Sequence, residues 1–227
     1  MGYKSMWHIL LFVLLQSQIL LIGSESVCAD SDNVNRETIR RRSPEYLIKR
    51  LESPKRLQME PPDRVIDSFG VKKGEIIADI GAGTGYYSFR LADKAGADGK
   101  VYAVEIQDEL LAYLGDNIEK RGVKNIVLVK SSESGPNLPS KTFDKILVAN
   151  SYYYFPDPVK FMSNLRKALK PGGRVAVIDL DAAKVKKRNK PLTANELIAE
   201  MKQAGFSFIE SFDYLDINFF LVFQAVE

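Results

Sequence analysis

From residue 76 to residue 180, short apolar runs alternate with stretches of helical spacing. The runs at 76–80, 101–106, 126–129, 143–149 and 174–180 read as strands. Between them, 86–95, 109–120 and 159–169 repeat apolar residues at helical intervals, as with Phe89, Leu91 and Ala92. Such alternation predicts a parallel sheet joined by right-handed crossovers. Beyond 180 the pattern changes. A helix is expected over 193–204, where Thr193 and Glu196 have capping-box spacing, followed by strands at 206–212 and 219–223. Their short connection makes them an antiparallel pair. Upstream, Pro61 and Pro62 open a helix that runs through Phe69 and stops at Gly70. Residues 44–59 are expected to form one or two short helices with Tyr46, Leu47, Leu51 and Leu57 as buried anchors.

The first 30 residues have a different pattern. An apolar run over 9–22, broken at Gln16, Ser17 and Gln18, comes after Lys4, and Val27-Cys28-Ala29 puts small residues before a cleavage point at Asp30. This predicts a signal peptide over 1–29, cleavage near Ala29 and a periplasmic or secreted product. The run is short of the ~20 residues of a spanning helix, so no stable membrane span is expected after cleavage. The alternative is a membrane anchor through residues 9–22. Arg36 and Arg40-Arg41-Arg42 favour it, because the positive-inside tendency would hold the downstream domain in the cytoplasm. Residues 30–60 then form an arm with short helices, and 61–227 the main domain.

Composition narrows the chemistry. Apolar residues make up 45% of the chain, enough for one core, and a net charge of +3 gives no global pull toward nucleic acid. The single Cys, His and Trp are Cys28, His8 and Trp7. A chain cleaved at Ala29 has none of them, which excludes disulfides, a thiolate nucleophile, an imidazole base and Cys/His zinc sites. The basic run KVKKRNK at 184–190 reads as a solvated loop.

The strongest local signal is Asp79-Ile80-Gly81-Ala82-Gly83-Thr84-Gly85, between a strand and a helix. Glycines there let the backbone turn sharply and approach a ligand at a helix N-terminus. A dinucleotide fingerprint requires a third small residue where this chain has Tyr86, which disfavours a nicotinamide oxidoreductase. The Gly-Lys-Ser/Thr of a P-loop is absent as well. Glu105 ends the second strand 20 residues past Gly85, the spacing of an acid that accepts hydrogen bonds from ribose hydroxyls. Asn150-Ser151-Tyr152-Tyr153-Tyr154-Phe155 comes directly after the fourth strand, at the carboxyl end of a central strand, where open α/β sheets bind ligands. Asp144 reads as a residue that starts its strand and stabilises the sheet.

The segments IIADIGAGTGYYSFRLA, KVYAVEIQ, FDKILVAN and LRKALKPGGRVAVID, in that order, resemble the class I S-adenosylmethionine-dependent methyltransferases. Within that family the chain is similar to small exported bacterial members of unassigned substrate. The resemblance implies an α/β, Rossmann-like methyltransferase fold. Its seven-stranded sheet is mostly parallel with the last strand antiparallel, and helices cover both faces. It implies S-adenosyl-L-methionine as cofactor. Asp79, Gly81, Ala82, Gly83, Thr84 and Gly85 then lie by its methionine end, Glu105 and Ile106 by the ribose, and Ser132 and Glu133 by the adenine. Asn150 is a further cofactor candidate, and Leu169 to Gly173 is the family's turn before the fifth strand. The histidines those members often carry after the fourth strand are replaced here by the tyrosine run.

The implied activity is methyl transfer to a small-molecule acceptor, with no nucleic acid and no metal. Tyr152 and Tyr153 are candidates for the acceptor pocket or for orienting the nucleophile, against a plain packing role for each. Two alternatives accompany this reading: a non-catalytic S-adenosylmethionine-binding protein, and a methyltransferase that acts on a protein.

Overall fold

Strand β1 (Ile76–Ile80) is central, and residues on both of its faces are buried. Ile77 points into one core, and Ala78 and Ile80 into the other, as the period of two requires. The computed structural model describes residues 43–185 and 192–226, all within the compact unit Asn35–Glu227. The expected signal peptide or anchor, the arm over 30–42 and most of the basic run lie outside the described residues.

In chain order the elements are α1 (Pro44–Leu51), α2 (Pro54–Met59), α3 (Pro62–Phe69), β1, α4 (Ser88–Ala95), β2 (Lys100–Glu105), α5 (Asp108–Arg121), β3 (Ile126–Lys130) and β4 (Phe143–Ala149). Next come a 3₁₀ turn (Tyr152–Tyr154), α6 (Pro158–Arg166), β5 (Leu169–Leu180), α7 (Ala194–Gln203), β6 (Phe206–Phe212) and β7 (Asn218–Ala225). The seven strands form one sheet in the order β3-β2-β1-β4-β5-β7-β6. β1 to β5 pair in parallel, and β7 runs antiparallel to both β5 and β6. Val65, Phe69, Leu91 and Leu114, from α3, α4 and α5, cover one face. Phe161, Leu165, Leu197 and Met201, from α6 and α7, cover the other. The expected α/β architecture is therefore present, including its antiparallel last strand.

The departures from the sequence pattern have physical causes. α4 starts at Ser88 instead of residue 86, because Gly85 has φ +89° and Tyr86 and Tyr87 are tied by their hydroxyls to Glu60. β5 starts at Leu169, five residues early. Leu169 pairs with Phe143 and Arg174 with Lys145, so the Lys170–Gly173 stretch is a bulge within the strand and not a separate turn. Tyr46 and Leu57, expected as anchors, are each 47% exposed, whereas Leu47 is buried. Leu47 is thus the buried apolar anchor of α1 among its described side chains. The Thr193–Glu196 capping box is formed at the start of α7.

The order of the sheet reverses between β1 and β4, which lie side by side although the chain visits β2 and β3 between them. Loops after these two strands leave in opposite directions, and a cleft opens between them at the carboxyl ends.

Candidate functional site

A cavity of about 790 Å³ occupies that cleft. Its floor is made by the ends of β1, β2, β4 and β5, through Gly81, Glu105, Asn150 and Asp179. Its roof is α1, α2 and the residues after them, including Leu47, Leu51, Arg56 and Glu60. The volume lies in the upper part of the range typical of small-molecule sites.

The glycine turn keeps the floor open. Gly81 has φ +73°, and a Cβ there would collide with the Ser151 side chain. Its amide and that of Ala82 both donate to Val104 O, which pins the turn to β2. Gly83 donates its amide to Glu105 Oε2 at 2.9 Å, so the turn and the acid at the end of β2 are directly joined.

Glu105 is 5% exposed. Its Oε1 accepts from the amides of Ile106 at 2.7 Å and Gln107 at 3.0 Å. Three of the roughly four acceptor positions of a carboxylate are thereby filled by backbone, leaving one on Oε2. The carboxylate is fixed in orientation while retaining capacity for a ligand hydroxyl. Ile106, Gln107 and Leu110 continue the wall on one side, and Ser131, Ser132 and Glu133 on another.

Asp79 plays a different part. It is buried below the cavity, and its Oδ2 accepts from Ser88 Oγ at 2.6 Å, tying the end of β1 to the first turn of α4. Burial raises its pKa to about 6, against the opposing effect of the Ser88 hydrogen bond.

The roof is secured by Glu60, which is 5% exposed. Its Oε1 accepts from Tyr87 Oη at 2.8 Å and from Arg56 Nη2 at 3.2 Å. Its Oε2 accepts from Asn150 Nδ2 at 2.7 Å and Asn218 Nδ2 at 3.2 Å. Arg56 also stacks on the Tyr86 ring, 3.8 Å from its centroid. Burial, and then the neighbouring Glu60 carboxylate, push the Tyr87 phenol well above its usual range. Four segments, α2, the glycine loop, the end of β4 and the start of β7, therefore converge on one carboxylate.

Of the residues singled out in the sequence, Gly81, Gly83, Glu105, Ile106, Ser132, Glu133 and Asn150 line the cavity together. Asp79, Ala82, Thr84 and Gly85 lie behind it. Tyr152 is buried in the core, where its hydroxyl donates to Glu200 Oε2 at 2.6 Å. Tyr153 also lies outside the cavity wall, and the third residue of the run, Tyr154, lines it. Asp144 accepts from the Ile76 amide and from Lys170 Nζ, both at 2.8 Å, as a sheet-stabilising residue does. Glu60, Arg56 and Asp179 were missed. Asp179 had a weak signal, an acid at the carboxyl end of a strand like Glu105, but no glycine turn beside it. Among the described residues no cluster of acids, His or Cys has metal-binding geometry.

The donor set fits S-adenosylmethionine. A fixed carboxylate with one open acceptor position, apolar residues beside it and a glycine floor that a side chain would obstruct are what a nucleoside with an extended sulfonium arm requires.

Comparison with known proteins agrees. A family model for a methyltransferase domain matches residues 71–213. The crystal structure of a SAM-dependent methyltransferase from Aquifex aeolicus superposes with a TM-score of 0.74 at 30% identity, covering 82% of this chain and 100% of that one. The uncharacterized methyltransferase YdaC of Bacillus subtilis is 27% identical over 149 residues, 64% of this chain and 78% of the relative. The ubiquinone/menaquinone biosynthesis C-methyltransferase UbiE of a Marinomonas species is 30% identical over 115 residues, 50% of this chain and 46% of the relative. The chain thus spans about half the length of that last protein.

Proposed function

The chain belongs to the methyltransferase-domain family and uses S-adenosylmethionine as its cofactor, and from that premise we propose that it methylates a small molecule held under the α1–α2 roof. The observation that carries this reading is the enclosure of the cavity. Glu105 and Asp179 face one space that α1 and α2 cover, which suits a compact acceptor better than a segment of folded protein. The UbiE relative, by its name a C-methyltransferase of quinone biosynthesis, also acts on a small molecule.

The cofactor supplies a methyl group already activated by a sulfonium, so the protein's work is alignment and exclusion of water. In this proposal Glu105 Oε2 accepts a ribose hydroxyl, and the three amides on the carboxylate keep it from turning away. Ile106 and Leu110 pack on the adenine while Ser132 and Glu133 meet its edge. Gly81 and Gly83 run under the methionine arm. Asn150, its side chain held by Glu60 and Asn218, marks the border between cofactor and acceptor. Tyr154, Asp179 and the roof helices enclose the acceptor. Arg56 and Glu60 close the roof, which keeps the methyl group away from water.

Incubating the protein with methyl-tritiated S-adenosylmethionine and a cell extract split by size tests this reading. Label is expected in the small-molecule fraction. Label confined to the protein fraction would transfer the activity to a protein acceptor.

We also propose export, on the residue pattern over 1–29. Mass spectrometry of the protein recovered from its native compartment is expected to give an N-terminus at Asp30. An intact N-terminus in the membrane fraction would instead favour the anchor.

A further inference from the structure

Asp179 ends the apolar run of β5 and forms part of the cavity wall, yet it is only 7% exposed. Its Oδ1 accepts from the Leu180 amide at 2.8 Å and its Oδ2 from the Tyr153 amide at 3.2 Å, and the Tyr152 amide also interacts with the carboxylate. All three partners are neutral. Among the described residues no cation lies within ion-pair distance of it. Burial is the main reason its pKa is raised to about 6, and the nearby charge of Glu60 adds to the shift. Ionisation of this carboxylate without a counter-charge is costly away from water, and an adjacent cation would offset that cost.

Two of the nearby cations are committed elsewhere, and three others lie exposed at the rim. Arg56 is paired with Glu60 and stacked on Tyr86. Lys184 donates to the carbonyls of Leu215 and Asn218, each at 2.8 Å. Lys49, Arg50 and Lys55 are exposed where α1 and α2 border the cavity. Among the described residues Asp179 has no ion pair, and it faces cavity space that a ligand can enter.

The cofactor's nucleoside end does not reach that place. Glu105 and Asp179 close β2 and β5, which are three strand spacings apart in the order β2-β1-β4-β5. At ~4.8 Å per spacing the two acids stand roughly 14 Å apart across the sheet. With the ribose at Glu105 and the methionine arm, which carries the cofactor's own ammonium, over the Gly81 and Gly83 turn after β1, the β5 side of the cavity is assigned to the acceptor.

We infer that Asp179 is a specificity-determining residue, and that the acceptor presents a protonated amine to its carboxylate. The inference rests on the reading of this cavity as the methyl-transfer site. An ammonium supplies an opposite charge and donates to the acceptor capacity that the Leu180, Tyr153 and Tyr152 amides leave open. A hydroxyl of the same size supplies one hydrogen bond and no charge, and a carboxylate is repelled.

The test uses the full chain saturated with S-adenosylhomocysteine. Calorimetry then measures benzylamine and hexylamine against benzyl alcohol, hexanol and benzoate. The amines are expected to bind about tenfold or more tighter than the alcohols, and benzoate weakest. Asp179→Asn is expected to bring the amines down to the level of the alcohols while leaving S-adenosylhomocysteine affinity unchanged.

Equal binding of amines and alcohols by the unsubstituted protein would overturn the inference without any variant. So would an amine preference that survives Asp179→Asn. Loss of S-adenosylhomocysteine binding in the variant would place Asp179 against the cofactor and also overturn it. Failure of the unsubstituted protein to bind S-adenosylhomocysteine is a distinct result, which removes the site reading itself.

Discussion

Asn150 Nδ2 donates to Glu60 Oε2 at 2.7 Å, joining the end of a central strand to a residue 90 positions earlier in the chain. Asn150 holds φ +55°, a left-handed conformation that asparagine tolerates better than most residues. The geometry turns the side chain away from the strand and toward the roof. The α2 helix is thus latched by a contact inside the cavity and not by burial of its own surface, since it contains no buried residue.

Glu60→Ala should therefore loosen the roof. Removing a buried carboxylate that pairs with Arg56 and accepts from three other side chains is expected to cost about 3 kcal/mol. Urea unfolding measures the loss, and hydrogen exchange should show residues 43–59 opening before the sheet. Unchanged exchange in that segment would mean that Leu47 and Leu51 hold it without the latch.

Asp79 gives a pH signature. Its folded pKa of about 6 is raised above the ordinary 3.8, mainly by burial. The folded state therefore binds the extra proton between those values. The stability it brings is complete below about pH 4 and is lost as pH rises through 6, amounting to about 3 kcal/mol. Asp79→Asn keeps an oxygen that can accept from Ser88 and cannot ionise. Relative to the unsubstituted protein it should gain by about that amount between pH 4 and pH 7 in urea unfolding. A difference that stays constant with pH would contradict the assignment.

Tyr152 lies in the core beneath the site. Tyr152→Phe removes the hydroxyl that Glu200 accepts and is expected to lower stability by about 1 kcal/mol. S-adenosylhomocysteine affinity, measured by calorimetry, should not change. A drop in affinity without a drop in stability would return this tyrosine to the site.

Much of the sheet was legible because its strands obey a local rule. The runs at 76–80 and 143–149 are mostly apolar and largely buried, and their bounds match the sequence pattern to the residue. The cofactor side was legible for the same reason: Gly81, Gly83 and Glu105 are encoded by type and spacing within one βαβ unit. The bulge in β5 was not, because Lys-Pro-Gly-Gly reads as a turn until Leu169 is seen to pair with Phe143. The roof side of the cavity was hidden by distance in sequence. Glu60, Asn150 and Asn218 form one cluster only after folding, and nothing near Glu60 in the chain marks it as buried. The tyrosine run misled by one register, since a 3₁₀ turn sends Tyr152 inward and Tyr154 to the cavity.

The central claim is that one cavity holds the cofactor against Glu105. Calorimetry of S-adenosylhomocysteine with the full chain, beside Glu105→Ala, tests it most directly. Micromolar binding is expected, weakened at least tenfold in the variant, with its fold intact by circular dichroism. Equal affinity for the two proteins, or no binding to the unsubstituted one, would contradict the claim.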